Sequence, residues 1–576
     1  MLKMLKELKA FKLGLFFTVV TVIGNVLSSL ALPAYLSIII NEAIPNGDIP
    51  RIVDIGGIML IFVFIGAVCN VATGFFSARI SIGLGRNVRS KVFGKIQYFS
   101  ETEFEEFSTS SLITRTNNDI IQIQTFINML LRVSLMAPFM CVGGIIMAFA
   151  KSRTMSMILL ISMPVMIIVV LLIGKFATPL SEKMQDKIDK INLVTREKLT
   201  GIRVARAFGT EEYETQRFYE VNKDFMNNSI KMNHVIGLMT PLLSIVLFAT
   251  TVALLGFGGY QVLYSANGIL IGDVIAVIQY VMQIMMSVMM LSMVFVMYPR
   301  AAVSAGRIND VLDKESVIKN KENPITTTTE RGHVVFNNVW FEFHDSDEPA
   351  IKGISFESKP GEVTAIIGST GCGKSTLINL IPRFYDIQRG EILIDGVNIK
   401  DYDIEYLRSK IGLVPQKAFL FKGTISSNIK FGDKNADQDR VVEAVKIAQS
   451  YEFVTAKEGQ FQSPIAQGGS NVSGGQRQRL AIARAIVRKP EIYIFDDSFS
   501  ALDFKTDAAL RKALFNEAKD STVILVAQRV STIMNATRII VLEDGACVGI
   551  GTHEELLNSC DVYKEIVYSQ LTKEEA

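Results

Sequence analysis

Residues 363–381 read VTAIIGSTGCGKSTLINLI, and this stretch decides the fold of the second half of the chain. Val363 to Ile367 form an apolar run of strand length, and an apolar helical pattern follows from Ser375 to Ile381. The glycine-rich loop between them predicts a strand, loop and helix that bind nucleotide phosphates through backbone amides. The expected phosphate-binding residues are Gly368, Ser369, Thr370, Gly371, Cys372, Gly373, Lys374, Ser375 and Thr376.

Polar side chains follow two further predicted strands. The apolar run 492–495 ends in Asp496 and Asp497, and the run 523–527 ends in Gln528. In the loop, Lys374 can reach the β and γ phosphates and the Ser375 hydroxyl can ligate Mg²⁺. The sequence therefore predicts a site for a magnesium nucleotide, with ATP and Mg²⁺ as the expected cofactors.

Composition predicts a membrane half and a soluble half. The chain has 576 residues, of which 49% are hydrophobic and only 20% charged, so it is too long for one domain and too apolar for a soluble protein. The net charge of +2, without a basic stripe, argues against a nucleic-acid partner. The five cysteines have no metal-ligand or disulfide spacing and are predicted to be reduced thiols.

Six apolar stretches are each long enough to cross a bilayer, which takes about 20 residues of helix. The first follows four lysines, but it is too long for a signal peptide and lacks a small-residue cleavage site, so we expect a retained anchor. The predicted spans run approximately over Leu13 to Ile40, Ile55 to Ile82, Ile127 to Ala150, Met155 to Ala177, Val235 to Val262 and Ile269 to Tyr298.

Loop charge predicts the orientation of these spans. The segments after the second and fourth spans are rich in Lys and Arg, whereas the opposite loops hold only Arg51, Lys151 and Arg153. The positive-inside rule then puts both termini and the two long loops in the cytoplasm of a multi-pass protein of the cell (inner) membrane. The polar, proline-interrupted stretch 320–329 marks the domain boundary. The predicted domains are a transmembrane domain 1–310, a linker 311–332 and a nucleotide-binding domain 333–576.

Further motifs in the second half carry a resemblance to a known family. Val472, Ser473, Gly474, Gly475 and Gln476 precede the strand that ends in Asp496, and Ser500-Ala501-Leu502-Asp503 follows it. The order of these motifs resembles the ATP-binding cassette (ABC) family, and six spans ahead of one cassette resemble an exporter half-transporter of the multidrug type. The resemblance covers essentially the whole chain. It implies an α-helical membrane domain of six transmembrane helices with long cytoplasmic extensions, then an α/β P-loop cassette domain.

The resemblance also implies roles for single residues. Phe343 would stack on adenine. Asp496 would hold Mg²⁺ through water, together with Ser375, and Gln416 would sense the metal and the γ-phosphate. The signature residues Ser473, Gly474, Gly475 and Gln476, with Asp503, would close over an ATP held by the other subunit. The helices that couple the cassette to the membrane domain are expected near 107–115 and 209–213.

Two positions depart from the family pattern. Asp497 stands where a glutamate normally polarises the attacking water, and Gln528 stands where a histidine is usual. Aspartate is one methylene too short for the base, and glutamine lacks the imidazole, so the sequence predicts good ATP binding and poor hydrolysis. This resembles the degenerate-site subunit of a heterodimeric exporter, and the expected partner is a second, non-identical ABC half-transporter.

The sixth span favours an apolar or amphipathic small-molecule cargo, because methionine surfaces can repack around dissimilar ligands. Packing against lipid or other helices explains the same pattern equally well. A homodimeric lipid or lipopeptide flippase and an ATP-gated regulatory subunit remain the alternative functions. The polar and methionine positions are Gln279, Gln283, Met286, Met290 and Met297, with Met282, Met285, Met289 and Met293 beside them.

Overall fold

The computed structural model describes residues 1–264, 269–343, 346 and 348–571. Its contacts separate two compact units. The helical unit comprises Met1–Gln97 and Thr109–Lys314, and the α/β unit comprises Tyr98–Ser108 and Glu315–Ala576. A short segment from the first half of the sequence therefore packs with the second half.

Within the described residues, the helical unit contains six helical segments that are long and apolar enough to cross a membrane, as the sequence predicts. They are Leu2–Ala43, Ile49–Ile96, Thr109–Lys151, Arg153–Thr200, Glu211–Leu263 and Ile271–Leu291. The α-helices in this part of the chain are α1 Leu2–Lys6, α2 Lys12–Ile38, α3 Ile49–Ile96, α4 Glu101–Phe107, α5 Thr109–Thr114, α6 Ile120–Met129, α7 Leu135–Lys151, α8 Arg153–Thr200, α9 Ile202–Ala207, α10 Glu211–Gly237, α11 Met239–Tyr264 and α12 Ile271–Asp313.

Helices α3 and α8 each have 48 residues, which at 1.5 Å per residue makes them about 72 Å long. A bilayer core is only about 30 Å thick, so both helices extend well beyond it, as the family resemblance implies. Polar side chains join neighbouring helices. The Asn25 side-chain amide donates to the carbonyl of Gly66 at 3.2 Å, so this asparagine makes an interhelical hydrogen bond.

The described residues of the α/β unit form two large sheets and a small antiparallel sheet of two strands, β7 and β8. A mostly parallel sheet has the strand order β12-β11-β3-β10-β9-β6, and an antiparallel sheet has the order β2-β1-β4-β5. The strands are β1 Val334–Phe341, β2 Ile351–Ser358, β3 Val363–Gly368, β4 Arg389–Ile394, β5 Val397–Asn398, β6 Ile411–Val414, β7 Gly423–Thr424, β8 Pro464–Ile465, β9 Ile492–Asp496, β10 Thr522–Val526, β11 Arg538–Glu543 and β12 Ala546–Gly551.

The remaining helices cover these sheets. β9 and β10 are buried along their whole length, which explains why both read as continuous apolar runs in the sequence. The helices are α13 Lys374–Leu380, α14 Ile404–Ser409, α15 Ile425–Ile429, α16 Gln438–Ile447, α17 Tyr451–Thr455, α18 Gly474–Val487, α19 Phe504–Glu517, α20 Val530–Ile533, α21 His553–Ser559 and α22 Asp561–Tyr568.

The strand register brings the motifs to one edge of the parallel sheet. β10 lies between β3 and β9, and Val526 is the register partner of both Ile366 and Asp496. β6 runs parallel to β9, with Val414 opposite Phe495. The residues that follow β3, β6, β9 and β10 therefore emerge together, where parallel α/β sheets usually bind their ligands.

Candidate ATP-binding and hydrolysis site

The phosphate-binding loop requires glycine for steric reasons. Gly373 has φ 96°, and a Cβ added there would lie 2.8 Å from the carbonyl oxygen of Ala350. A Cβ at Gly368 would lie 2.2 Å from the carbonyl oxygen of Leu542. No side chain fits at either distance, so both positions require glycine, as the sequence predicts for a phosphate loop.

Lys374 is almost buried, with 9% of its surface exposed. Its ammonium group donates to the carbonyl oxygens of Gly368 at 2.9 Å and Ser369 at 2.6 Å. The lysine thus lies inside the curve of its own loop, where phosphate oxygens can compete for the same protons. This is the position that the motif predicts for the group that binds the β and γ phosphates.

Ser375 and Asp496 come together as the candidate metal ligands. The Ser375 hydroxyl donates to Oδ1 of Asp496 at 3.0 Å, across 121 positions of sequence. Burial, and secondarily the neighbouring Asp497 charge, raise the pKa of the Asp496 carboxyl, so a divalent cation there would offset the cost of its ionisation. Hydroxyl and carboxylate oxygens are ligands that Mg²⁺ accepts, so the two residues fit this metal.

Asp497 is held in an unusual position by three hydrogen bonds. Its backbone has φ 44°, a conformation that few non-glycine residues adopt, and its amide donates to the carbonyl of Val526 at 3.0 Å. Its Oδ2 accepts from the side-chain amide of Gln528 at 3.0 Å and from that of Gln416 at 3.4 Å. The three residues that the sequence singles out for hydrolysis therefore form one cluster, in which Asp497 is the shared acceptor.

The loop after β9 reaches back to this cluster. The Ser500 hydroxyl donates to the carbonyl of Asp497 at 2.9 Å, and Arg529 donates to the carbonyl of Ser500 at 3.1 Å. Asp503 caps helix α19 by accepting from the Thr506 amide at 3.0 Å, and that bond lowers the pKa of its carboxyl. Asp503 was predicted to contact nucleotide, and in this structure its side chain caps its own helix.

The signature residues form the exposed start of a helix. Ser473 and Gln476 make a reciprocal capping box, with the Ser473 hydroxyl accepting from the Gln476 amide at 3.2 Å and the Gln476 side chain accepting from the Ser473 amide at 3.1 Å. Ser473 and Gly474 are exposed. A Cβ at Gly475 would lie 3.2 Å from the carbonyl of Ala501, so this glycine allows the loop after β9 to pass closely.

Phe343, the predicted adenine-stacking residue, is half-buried just after β1. Its ring packs edge-to-face against Phe341, with ring centroids 4.8 Å apart, and against Tyr385 at 5.5 Å. Two aromatic neighbours therefore fix the orientation of the Phe343 ring. The sequence analysis did not identify Tyr385, which follows α13 and has no motif of its own.

A second residue that the sequence analysis missed is Gln570, after α22. Its side-chain amide donates to the carbonyl of Gln528 at 2.8 Å, and its carbonyl oxygen accepts from the Val530 amide at 2.9 Å. Gln570 thereby brackets the segment that carries Gln528. No sequence signal marks it, because its partners lie about forty positions earlier and depend on the fold.

Comparisons with known proteins identify the family of this chain. The ABC transporter transmembrane region matches residues 15–288, and the ABC transporter family model matches residues 351–500. The uncharacterized ABC transporter ATP-binding protein Rv1273c of Mycobacterium tuberculosis is 39% identical over 550 residues, which are 95% of this chain and 94% of that protein. YfiB of Bacillus subtilis, another uncharacterized ABC transporter ATP-binding protein, is 34% identical over 100% of this chain and 99% of its own length.

The chain is also similar to a relative whose name gives a function and to a protein of known structure. An ATP-dependent lipid A-core flippase of Mannheimia succiniciproducens is 30% identical over 96% of this chain and 95% of its own length. The structure of a bacterial Atm1-family ABC exporter with ATP bound has a TM-score of 0.84 at 24% identity, and the match covers 98% of this chain and 99% of that one.

The fold and the site define a membrane-embedded ATP-binding transporter subunit. The chain belongs to the ABC transporter family, as the long matches to its relatives show. It is a multi-pass membrane protein with a transmembrane domain followed by an ATP-binding domain, the domain order and fold of an exporter half-transporter.

Proposed function

We propose that this chain is the hydrolysis-impaired subunit of a heterodimeric ABC exporter that moves apolar or amphipathic compounds outward across the cell membrane. The observation that carries the proposal is the cluster of Asp497, Gln528 and Gln416. A carboxylate that polarises water must lie within about 2.6 to 3.2 Å of the proton it accepts. Here the short Asp497 side chain is held on Oδ2 by two side-chain amides.

The size of the impairment follows from geometry. A displacement of a catalytic group by about 1 Å can cost on the order of a hundredfold in rate. Asp497 is one methylene shorter than glutamate, and its shared amide bonds use one of the two carboxylate oxygens. Gln528 can donate a hydrogen bond to phosphate or to Asp497, but it cannot carry the charge of an imidazolium.

ATP binding should survive these changes. It depends on the loop amides between β3 and α13, on Lys374, and on the Ser375 and Asp496 pair that would hold Mg²⁺. When bound, Mg²⁺ would neutralise the charge that develops on the phosphates. None of these groups departs from the pattern, so the two functions of the site are separable.

A non-identical partner supplies what this chain lacks. In a homodimer, two impaired sites would face two intact signatures, and turnover would be very slow. In a heterodimer, the exposed start of α18 with Ser473 and Gly474 would complete a site whose glutamate and histidine come from the partner's own cassette. The partner half-transporter should therefore carry Glu and His at the positions of Asp497 and Gln528.

The cargo proposal rests on the sixth span. Met282, Met286, Met290 and Met293 have 40%, 47%, 46% and 56% of their surface exposed in the helical unit. In contrast, Met285 is buried in the helix contacts. Four flexible, polarizable side chains on one helix can adapt to apolar surfaces of different shape.

A homodimeric lipid flippase is the second candidate function. The 30% identity to an ATP-dependent lipid A-core flippase over nearly the full length of both proteins favours it. Lipid is an amphipathic cargo, so the membrane domain would serve either function. The two candidates differ in whether this chain turns over ATP by itself.

The proposed orientation has both termini in the cytoplasm. Lys3 and Asp313, at the start of the first helical segment and the end of the sixth, form an ion pair at 2.5 Å. This pair puts both ends of the membrane helices on the same side, as six crossings require. Their cytoplasmic side is inferred from the positive charge of the long loops.

The test is to purify the full chain in detergent, alone and with any polypeptide that co-purifies, and to measure Mg-ATP binding and hydrolysis. We expect ATP binding in both samples and hydrolysis mainly in the complex. For the sample of the chain alone, Lys374→Ala controls for contaminating ATPases, because it removes phosphate binding at this chain's own site. Robust hydrolysis by the chain alone, close to the rate of the complex, would contradict the heterodimer and favour the flippase.

A further inference from the structure

Helix α4 is a separate, well-fixed element of the α/β unit. Ser100 caps it, with its amide and its hydroxyl both donating to Oε2 of Glu103 at 2.6 Å. The other oxygen of the buried Glu103 accepts from the Val317 amide at 2.9 Å. By sequence α4 lies between α3 and α5, so it is covalently continuous with two helices of the helical unit.

One residue of α4 contacts the wall of the adenine site. Glu105 Oε1 accepts from the Tyr385 hydroxyl at 3.1 Å. The Tyr385 ring packs against Phe343 at 5.5 Å and against Phe341 at 5.3 Å. Burial, followed by the charge of Glu105, raises the pKa of the Tyr385 phenol, so it remains a hydrogen-bond donor at neutral pH.

The backbone around Tyr385 is also tied to the phosphate loop. Tyr385 follows α13, the helix that begins with Lys374. Arg383 has φ 53° and pairs with Asp386 at 2.8 Å, and Arg408 donates to the carbonyl of Arg383 at 3.0 Å. Tyr385 therefore lies on a turn that is fixed by hydrogen bonds. A movement of α13 or of the Phe343 ring would move the Tyr385 hydroxyl as well.

We propose that Tyr385 is a positioning residue that reports nucleotide occupancy to helix α4. Adenine stacking on Phe343 and phosphate binding at α13 would both act on its ring and turn, and the hydroxyl bond to Glu105 would pass the change to the segment 98–108. This inference rests on the proposed ATP binding, and it adds a route from the adenine pocket to the membrane helices that hydrolysis does not require.

A purely structural role predicts a different result. If the hydroxyl bond only holds the half-buried Tyr385 in place, its removal would lower stability slightly and leave the response to nucleotide unchanged. Tyr385→Phe removes the hydroxyl and keeps the ring against Phe343. Tyr98→Phe is the matched control, because Tyr98 lies in the same segment and has 75% of its surface exposed.

The experiment measures hydrogen exchange of the segment 98–108 in the full chain with its co-purified partner, with and without Mg-ATP, beside the Kd for ATP. In the unmodified chain and in Tyr98→Phe, ATP should change the exchange of this segment. In Tyr385→Phe we expect the ATP-dependent change to fall roughly five- to tenfold, within the usual range of a coupling between two sites, while the Kd stays nearly the same.

Glu105→Ala, and the double variant that combines it with Tyr385→Phe, complete a double-mutant cycle. Each single variant and the double variant should lose the response to the same extent, because both remove one hydrogen bond. An undiminished ATP response in Tyr385→Phe, or additive losses in the double variant, would overturn the relay. A failure of the unmodified chain to bind ATP would instead contradict the proposed function, so the two failures are distinguishable.

Discussion

The two halves of the nucleotide site differ in how closely their residues match the pattern that binding and hydrolysis need. At the end of β3, the phosphate loop has the glycines, the lysine and the serine that its chemistry needs, and Lys374 already lies inside the loop. At the ends of β9 and β10, the groups that would activate water are replaced, and Asp497 is shared between two glutamine amides. ATP binding and hydrolysis use neighbouring strand ends. Only the residues expected to act in hydrolysis, Asp497 and Gln528, depart from the family pattern.

The contrast also has a spatial consequence. The signature residues Ser473 and Gly474 at the start of α18 are exposed, whereas the phosphate loop of this chain would serve the site that we propose to be impaired. A single cassette would therefore contribute to a competent site with one surface and to a slow site with another. Damage to the two surfaces should not have equal effects.

The largest effect is expected from Ser473→Arg in the heterodimeric complex. The substitution places bulk and charge at the exposed helix start that would meet the partner's ATP, so turnover and transport should fall on the order of a hundredfold or more, as when transition-state geometry is lost. Steady-state ATPase and transport measurements check this.

Ser473→Ala is the matched control. It removes the cap, at a cost of about 0.5 to 2 kcal/mol of helix stability, but it adds no bulk. A loss in Ser473→Ala as large as in Ser473→Arg would show that the Ser473 hydroxyl itself is required, and it would contradict the expectation that added bulk and charge cause the loss.

The second-largest expected effect is an increase in the hydrolysis rate at this chain's own site. Asp497→Glu combined with Gln528→His would restore the carboxylate reach and the imidazole, and hydrolysis at this site should rise by roughly ten- to a hundredfold. The measurement is single-turnover hydrolysis in a complex whose other site is blocked. The single variants should gain less, because the two side chains act together. An unchanged rate in the double variant would mean that the impairment lies elsewhere.

A smaller loss is expected from Lys374→Ala. It would remove phosphate binding at the proposed slow site, where bound ATP would mainly hold the two cassettes together, so a measurable fraction of the turnover should remain. The rate should exceed that of Ser473→Arg. Nucleotide trapped after extended turnover of the unmodified complex should be found as ATP near Lys374 and Phe343. Equal losses in both variants would show that the exporter is functionally symmetric.

The features that could be predicted from the sequence are those that depend on local motifs. The phosphate loop, the paired aspartates and the capping residue Ser473 each depend on neighbours a few positions away, so their strands, helices and roles follow from short patterns. The six apolar helices follow from length and hydropathy. Asp497 and Gln528 follow two predicted strands, and the structure brings them into hydrogen-bond contact because neighbouring parallel strands end at the same edge of a sheet.

The first coupling helix was placed less well. The sequence analysis predicted it near 107–115, but the segment that joins the α/β unit is Tyr98–Ser108, with α4 at Glu101–Phe107. The pattern Ser100-Glu101-Thr102-Glu103 is a capping box that marks this start, so the signal was present. The Glu105 contact with Tyr385 spans 280 positions and could not be predicted locally.

The smallest effect tests the residue that sequence patterns miss. Gln570→Ala removes the two hydrogen bonds that bracket the Gln528 segment, at 2.8 and 2.9 Å. One of these bonds is solvent-exposed and the other only partly buried, so the free energy of unfolding should fall by only about 1 kcal/mol. Chemical denaturation of the full chain, followed by the loss of ATP binding, measures this change.

Gln570→Ala should have a larger effect on the hydrolysis rate of the variant that combines Asp497→Glu with Gln528→His. Without the two hydrogen bonds of Gln570, the segment would hold the imidazole introduced by Gln528→His less well. Asp497→Glu with Gln528→His should therefore lose roughly half to nine-tenths of its gained rate when Gln570→Ala is added, since displacements well below 1 Å still cost rate. Gln438→Ala, at an exposed position on α16, is the control and should leave the gain intact. If Gln570→Ala lowers stability without reducing the repaired rate, Gln570 supports the fold and has no part in positioning the hydrolytic group.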